Sequence, residues 1–220
     1  MGKYSVIAFD LDGTLSDPSE GLLNGFEYAF KKLGIDYGER DSLRRFIGPP
    51  LFDEWQAEFG FTPEEAEKAI LLFREYYKVY GWRENRVYDG IYKLLEELKR
   101  SGKTLVMATS KPEDQMIKIV RLFGFDKYFD FLGGAGSHKS RHRKCDVLEY
   151  ALAAVGIGNS PEERAECILV GDRKYDAEGA SICGIASLGV LWGHGNYEEI
   201  TSSGFSLVAS TPAEVLGLLG

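Results

Sequence analysis

The run Val6-Ile7-Ala8-Phe9-Asp10-Leu11-Asp12-Gly13-Thr14-Leu15 constrains this chain most, because four apolar residues end abruptly in two carboxylates separated by one residue. Continuous rather than alternating apolarity predicts a parallel strand buried on both faces. Asp10 and Asp12 then stand at its carboxyl end, the edge where open α/β sheets bind ligands. Two anionic side chains followed by a Gly-Thr turn make a poor core and a good cation site, and an all-oxygen donor set suits Mg²⁺.

A lone strand cannot satisfy its own edges, so its neighbours must come from later in the chain. The segment directly after it is helical. Asp17-Pro18-Ser19-Glu20 offers an N-cap, a proline at the first helical position and an acid, and Leu22, Phe26, Ala29, Phe30 and Leu33 recur at helical spacing up to Gly34. Asp41-Ser42 opens a short second helix through Phe46 that Gly48-Pro49-Pro50 stops, and Leu51 to Phe59 forms a third. Thr62-Pro63-Glu64-Glu65 reads as a capping box opening a longer helix with Ala66, Ala69, Ile70, Phe73, Tyr76, Tyr77 and Tyr80. Residues 17–84 are therefore expected to form an all-helical unit with its own aromatic core.

From Asp89 onward helix and strand alternate, the pattern of a parallel sheet with helices on both faces. Expected helices are Ile91 to Arg100, Lys111 to Phe123, Cys145 to Val155, Ala177 to Ile182 and one from Thr211. Expected strands are Thr104 to Thr109, Phe129 to Leu132, Cys167 to Val170, Ala186 to Leu191 and Phe205 to Val208. The reading is an α/β protein whose core, 1–16 and 85–220, is a Rossmann-like parallel sheet interrupted by a helical insertion at 17–84.

The 220 residues carry a net charge of −8, which argues against general affinity for nucleic acid polymers, so an anionic substrate must be held by local cations, metal or backbone N–H groups. Cys145, Cys167 and Cys183 form no C-x-x-C pair, and no apolar run approaches the ~20 residues that span a bilayer. The expectation is a cytoplasmic chain with reduced thiols and no membrane association. His138, His142 and Cys145 lack an evident fourth zinc ligand, and a solvated basic loop is the better reading of that stretch. Gly193-His194-Gly195 reads as a turn near the site, since it is not part of a G-x-G-x-x-G run.

Polar residues recur where buried strands stop: Asp10 and Asp12 after the first, Thr109 and Ser110 after the second, Asp172 after a later one, with Asp176 four residues on. Aspartates gathered without partners repel, so a divalent cation is expected among them. Asp10-Leu11-Asp12-Gly13-Thr14-Leu15, Ala108-Thr109-Ser110-Lys111-Pro112, Lys144 ahead of Val147-Leu148, and Gly171-Asp172-x-x-x-Asp176-x-x-Gly179-Ala180 resemble the four signature motifs of the haloacid dehalogenase superfamily. The insertion resembles that superfamily's α-helical cap. Phe46-Ile47-Gly48-Pro49-Pro50-Leu51 resembles the cap loop of its phosphoglycolate-phosphatase-like group, and a similar set of sequences has been assigned nucleotidase activity.

The resemblance implies an Mg²⁺-dependent phosphatase of small phosphomonoesters, such as phosphoglycolate, nucleoside monophosphates or sugar phosphates, working through an aspartyl-phosphate. Asp10 is implied as nucleophile and Asp12 as general acid and base. Metal ligation is implied for Asp10, the Asp12 carbonyl and Asp172, with Asp176 orienting that shell. Thr109, Ser110, Lys144 and Arg141 are implied as phosphate-binding, with Arg141 or Arg143 able to share the role of Lys144. Ion-transporting members carry threonine at the Asp12 position, and dehalogenases and phosphonatases lack the aspartate. A phosphomutase of the β-phosphoglucomutase type is the nearest alternative, and a non-catalytic phosphate-ligand sensor a more distant one. A monomer or weak homodimer is expected.

Overall fold

The computed structural model describes residues 3–48, 51–136, 141 and 143–220. Contacts divide the chain into two compact units, one formed by 1–17 and 87–220 and the other by 18–86.

The first unit holds a six-stranded sheet. Its strands are β1 (Val6–Phe9), β4 (Thr104–Pro112), β5 (Phe131–Ala135), β6 (Cys167–Gly171), β7 (Ala186–Val190) and β8 (Leu207–Ala209), and two-residue strands β2 (Ser16–Asp17) and β3 (Arg86–Val87) flank the insertion. The sheet order is β5-β4-β1-β6-β7-β8, and every pairing in it is parallel. Helices α4 (Ile91–Arg100), α5 (Glu113–Phe123), α6 (Lys144–Ala154), α7 (Pro161–Ala165), α8 (Lys174–Ile182), α9 (Tyr197–Ser202) and α10 (Pro212–Leu219) complete the unit.

Every residue of β1 is buried, which is what continuous apolarity requires of a strand covered on both faces. Val6 and Ala8 join Val106, Ala108 and Leu169 against Val147, Leu148, Ala151 and Leu152 of α6 and Ala180 of α8. Successive side chains of a strand point to opposite faces, so Ile7 and Phe9 line the other side. Phe9 pairs in register with Met107 of β4 and with Val170 of β6. Three carboxyl ends therefore emerge side by side, carrying Asp10, the Thr109 segment and Asp172.

The second unit contains α1 (Ser19–Leu33), a 3₁₀ segment at Arg40–Phe46, α2 (Leu51–Phe59), α3 (Pro63–Val79) and a short 3₁₀ turn at Gly81–Arg83. Its core gathers Leu23, Phe26, Phe30, Leu43, Phe46, Ile47, Trp55 and Ala69, with the Trp55 ring 4.9 Å from Phe30 and 5.6 Å from Phe26 between centroids. Thr62 caps α3 as the capping box requires, its hydroxyl accepting from Glu65 N–H while Glu65 accepts from Thr62 N–H.

Several boundaries depart from expectation for local reasons. Helix α1 starts at Ser19 with Pro18 at the cap position and no side-chain cap, because Asp17 is held in β2. The second helix is a 3₁₀ segment, and Pro49 and Pro50, expected to stop it, lie outside the described residues. Strand β4 runs through Lys111 and Pro112, with a register shift against β5 after Ala108, so α5 begins at Glu113. Strand β5 lies two residues later than expected, because Asp130 is taken by the Leu105 N–H and the Lys99 ammonium. Helix α8 begins at Lys174, three residues before the expected start, and α7 and α9 are additional to the expected set. All three cysteines are free and buried.

Candidate active site

The turn after β1 is closed on itself: Leu11 O accepts from the N–H groups of Leu15 and Ser16 at 2.9 and 3.0 Å, and Gly13 N–H donates to Ser16 O at 2.8 Å. Gly13 has φ +83°, and a Cβ there would fall 2.1 Å from Asp172 Oδ2. Only glycine permits both the backbone conformation and the approach of that carboxylate. Asp10 is fixed by its N–H, which donates to Val170 O at 2.9 Å.

Asp10, Asp172 and Asp176 meet, with one carboxylate oxygen from each lying within 4.8 Å of the others. Lys144, the first residue of α6, reaches into this cluster. Its Nζ donates to Ala108 O at 3.0 Å and lies 2.8 Å from Oδ1 of both Asp10 and Asp176. Those two carboxylate oxygens make ion contacts with it rather than aligned hydrogen bonds. The stem of Lys144 crosses α8 at Gly179, where a Cβ would come 2.6 Å from Lys144 Cγ. Burial opposes the charge on Lys144, but the carboxylates of Asp10 and Asp176 outweigh it and raise its pKa.

Asp172 is fully buried and accepts from neutral donors, the Thr14 hydroxyl at 3.2 Å and the His194 N–H at 2.8 Å. Burial, then the adjacent charges of Asp176 and Asp10, push its carboxyl well above the usual range. Asp176 is raised by burial too, against the pull of Lys144, and its Oδ2 accepts from Arg173 N–H at 3.0 Å. Among the described residues, the Lys144 ammonium thus serves two of the three buried carboxylates, Asp10 and Asp176. An oxygen-rich cluster short of positive charge fits a divalent cation, which would compensate Asp172 where Lys144 does not reach.

The remaining expected residues lie around this cluster or away from it. Asp12 is outside the triad and pairs with Lys111, whose Nζ donates to Oδ2 at 2.6 Å. Thr109 is buried, and its hydroxyl accepts from Lys111 N–H at 3.3 Å. Ser110 is exposed. Arg141, at φ 51°, donates to Glu113 at 2.9 Å and stacks 3.9 Å from the Tyr150 ring centroid, while Arg143 pairs with Asp146 at 2.8 Å. His138, Ser140 and His142 lie outside the described residues.

Three contributors were not singled out from the sequence: Lys111 on Asp12, Thr14 on Asp172, and the His194 backbone on Asp172. Each stood inside a run already notable, the Ser-Lys-Pro segment, the Gly-Thr turn and the Gly-His-Gly turn. The last is anchored by its neighbour Trp192, whose indole N–H donates to Thr14 O at 3.0 Å.

Residues 7–190 match the sequence profile of haloacid dehalogenase-like hydrolases. A 5'-nucleotidase of Pseudomonas aeruginosa is 39% identical over 198 residues, covering 90% of this chain and 87% of that protein. A tyrosine-protein kinase, PtkA, of Mycobacterium tuberculosis is 37% identical over 217 residues, covering 98% of this chain and 72% of that one. The crystal structure of a putative phosphatase from Clostridium difficile superposes with a TM-score of 0.89 at 37% identity and full coverage of both chains. The profile match over most of the chain, on a parallel sheet whose strand ends gather Asp10, Asp172 and Asp176, shows that the chain belongs to the haloacid dehalogenase-like hydrolases.

Proposed function

We propose that the chain is an Mg²⁺-dependent phosphatase of small-molecule phosphomonoesters, working through an aspartyl-phosphate on Asp10. The observation that carries the reading is the buried triad of Asp10, Asp172 and Asp176 with Lys144 set between two of its members. A carboxylate oxygen of Asp10 bonds to phosphorus, and the ester P–O bond breaks with its electron pair passing to the leaving oxygen. That oxygen takes a proton from Asp12, and Asp12 later takes one from the water that hydrolyses the aspartyl-phosphate. Lys144, and Thr109 through its hydroxyl, hold the phosphoryl oxygens as charge redistributes over them.

Asp10, the Asp12 carbonyl and Asp172 would hold Mg²⁺, with Asp176 orienting that set. When bound, the ion would supply positive charge for the phosphoryl oxygens. The helical unit is the proposed cap. The 5'-nucleotidase relative favours nucleoside monophosphates as the first substrates to try, ahead of phosphoglycolate and sugar phosphates. No helix among the described residues is long and apolar enough to cross a membrane.

The test is phosphate release from purified protein over a panel of these three substrate types with Mg²⁺, with chelator, and with glucose 1-phosphate products analysed for phosphoryl return. Mg²⁺-dependent release of phosphate is the expected result. Normal metal binding with no release across the panel would overturn the proposal, and return of the phosphoryl group to sugar would mark a mutase.

A further inference from the structure

The segment that follows β7 is bound to the Asp172 turn at successive points. A Cβ on Gly193 would fall 2.3 Å from Asp172 Cβ, and one on Gly195 would fall 2.1 Å from Asp172 O. Between them the His194 N–H donates to Asp172 Oδ2 at 2.8 Å. Asn196 then caps α9, its Oδ1 accepting from the Glu199 N–H at 2.8 Å, and the Glu199 side chain reaches back to the start of α8. Its Oε1 accepts from the Lys174 N–H and from Arg173 Nε, each at 2.9 Å, and its Oε2 accepts from Arg173 Nη2 at 3.4 Å. The Arg173 and Glu199 side chains are only 17% and 19% exposed, so water screens the pair weakly.

Arg173 and Lys174 stand between Asp172 and Asp176, where α8 begins. Lys174 is the first helical residue, so its N–H reaches no carbonyl within the helix and takes Glu199 instead. The Arg173 N–H is taken by Asp176 Oδ2 at 3.0 Å. Two consecutive N–H groups of this turn are therefore fixed by two carboxylates, Asp176 inside the cluster and Glu199 outside it. We infer that Glu199 is a positioning residue for the cation site: by holding the Lys174 N–H and the Arg173 guanidinium it fixes the backbone from which Asp172 and Asp176 project. Groups that orient metal ligands in this way act on affinity without touching the ion. The inference rests on the reading that Asp10, Asp172 and Asp176 gather around Mg²⁺.

The test is the dissociation constant of the cation alone, with no substrate present: Mn²⁺ followed by its electron paramagnetic resonance signal, and Mg²⁺ by competition against it. Glu199→Met keeps the length of the side chain and removes the acceptor, and should weaken binding on the order of tenfold. Glu199→Gln loses the same charge but keeps an oxygen for the Lys174 N–H, and should stay within about threefold of wild type. Thr211→Ala removes the hydroxyl that caps α10, far along the chain from the cluster, and should lower stability while leaving the cation affinity as it is. Circular dichroism and the thermal midpoint check folding, and Glu199→Ala replaces the Met variant should that one not fold. An unchanged affinity in the Met variant would overturn the inference. So would an equal loss in the Gln variant, which would point to charge rather than position, or an equal loss in Thr211→Ala, which would point to stability. If the wild-type protein binds neither ion, the cation reading itself fails and the inference with it.

Discussion

Among the described residues three buried carboxylates meet and Lys144 pairs with two of them, and that imbalance governs the behaviour of individual residues. Asp10 is the oxygen nucleophile of the proposed reaction, so Asp10→Asn should lower kcat on the order of 10⁴-fold or more while leaving the thermal midpoint close to wild type. Turnover retained in that variant would remove Asp10 from its role. Asp172 gives a second prediction through its raised pKa. The folded protein without metal binds more protons than the unfolded chain between the ordinary carboxylate value and the raised one, so its stability falls as pH rises through that window. Metal binding requires the carboxylate and displaces the proton. The Mg²⁺-induced rise in thermal midpoint should therefore grow from about pH 5 toward neutrality, read by thermal melts with and without the ion. A shift that is flat or shrinks with pH would contradict the assignment of Asp172 to the cation.

At the scale of elements, what holds a helix end decides how legible it is. The helix Leu51–Phe59 and the helix Ile91–Arg100 have the expected bounds, because apolar spacing and helix-ending residues are local signals. Helix α3 is opened by a reciprocal cap that needs only residues 62 to 65. Thr62→Ala should cost about 1 kcal/mol of stability by removing the acceptor for the Glu65 N–H, measured by urea unfolding. A change within error would show that solvent replaces the cap. By contrast, the true length of β4 and the start of α8 depend on partners elsewhere: β4 continues through Pro112 because β5 pairs with it there. The site obeys the same division. Strand-end aspartates are legible, since a carboxylate has no place in a buried strand without a task, whereas Lys111 and Thr14 carry no local mark of the residues they serve.

The whole molecule is two compact units joined where the chain leaves after Asp17 and returns at Val87. Both crossing points are close in the sheet unit, since Tyr88 N–H donates to Leu15 O at 3.2 Å. Residues 1–17 joined to 87–220 by a short Gly-Ser linker should therefore fold cooperatively and bind the metal, as all of Asp10, Asp172, Asp176 and Lys144 lie in this unit. Circular dichroism and a metal-dependent thermal shift check this, and an unfolded product would show that the sheet unit needs the insertion. At net charge −8 the molecule as a whole repels anions at long range, so the proposed phosphate ester would depend on local cations for its capture.

By itself the sequence determined the class of fold, most of the elements, the three aspartates that follow strand ends and Asp176 one turn on, because apolar period, capping and turn chemistry act over a few residues. Tertiary structure alone decided that β1 lies between β4 and β6, which side chains share the cluster, and which cation each carboxylate receives. Lys111 and Asp12 are 99 residues apart, and Thr14 and Asp172 are 158 apart. Contacts at that separation arise from strand order and close packing at glycines such as Gly13 and Gly179, and no local pattern of residues encodes them.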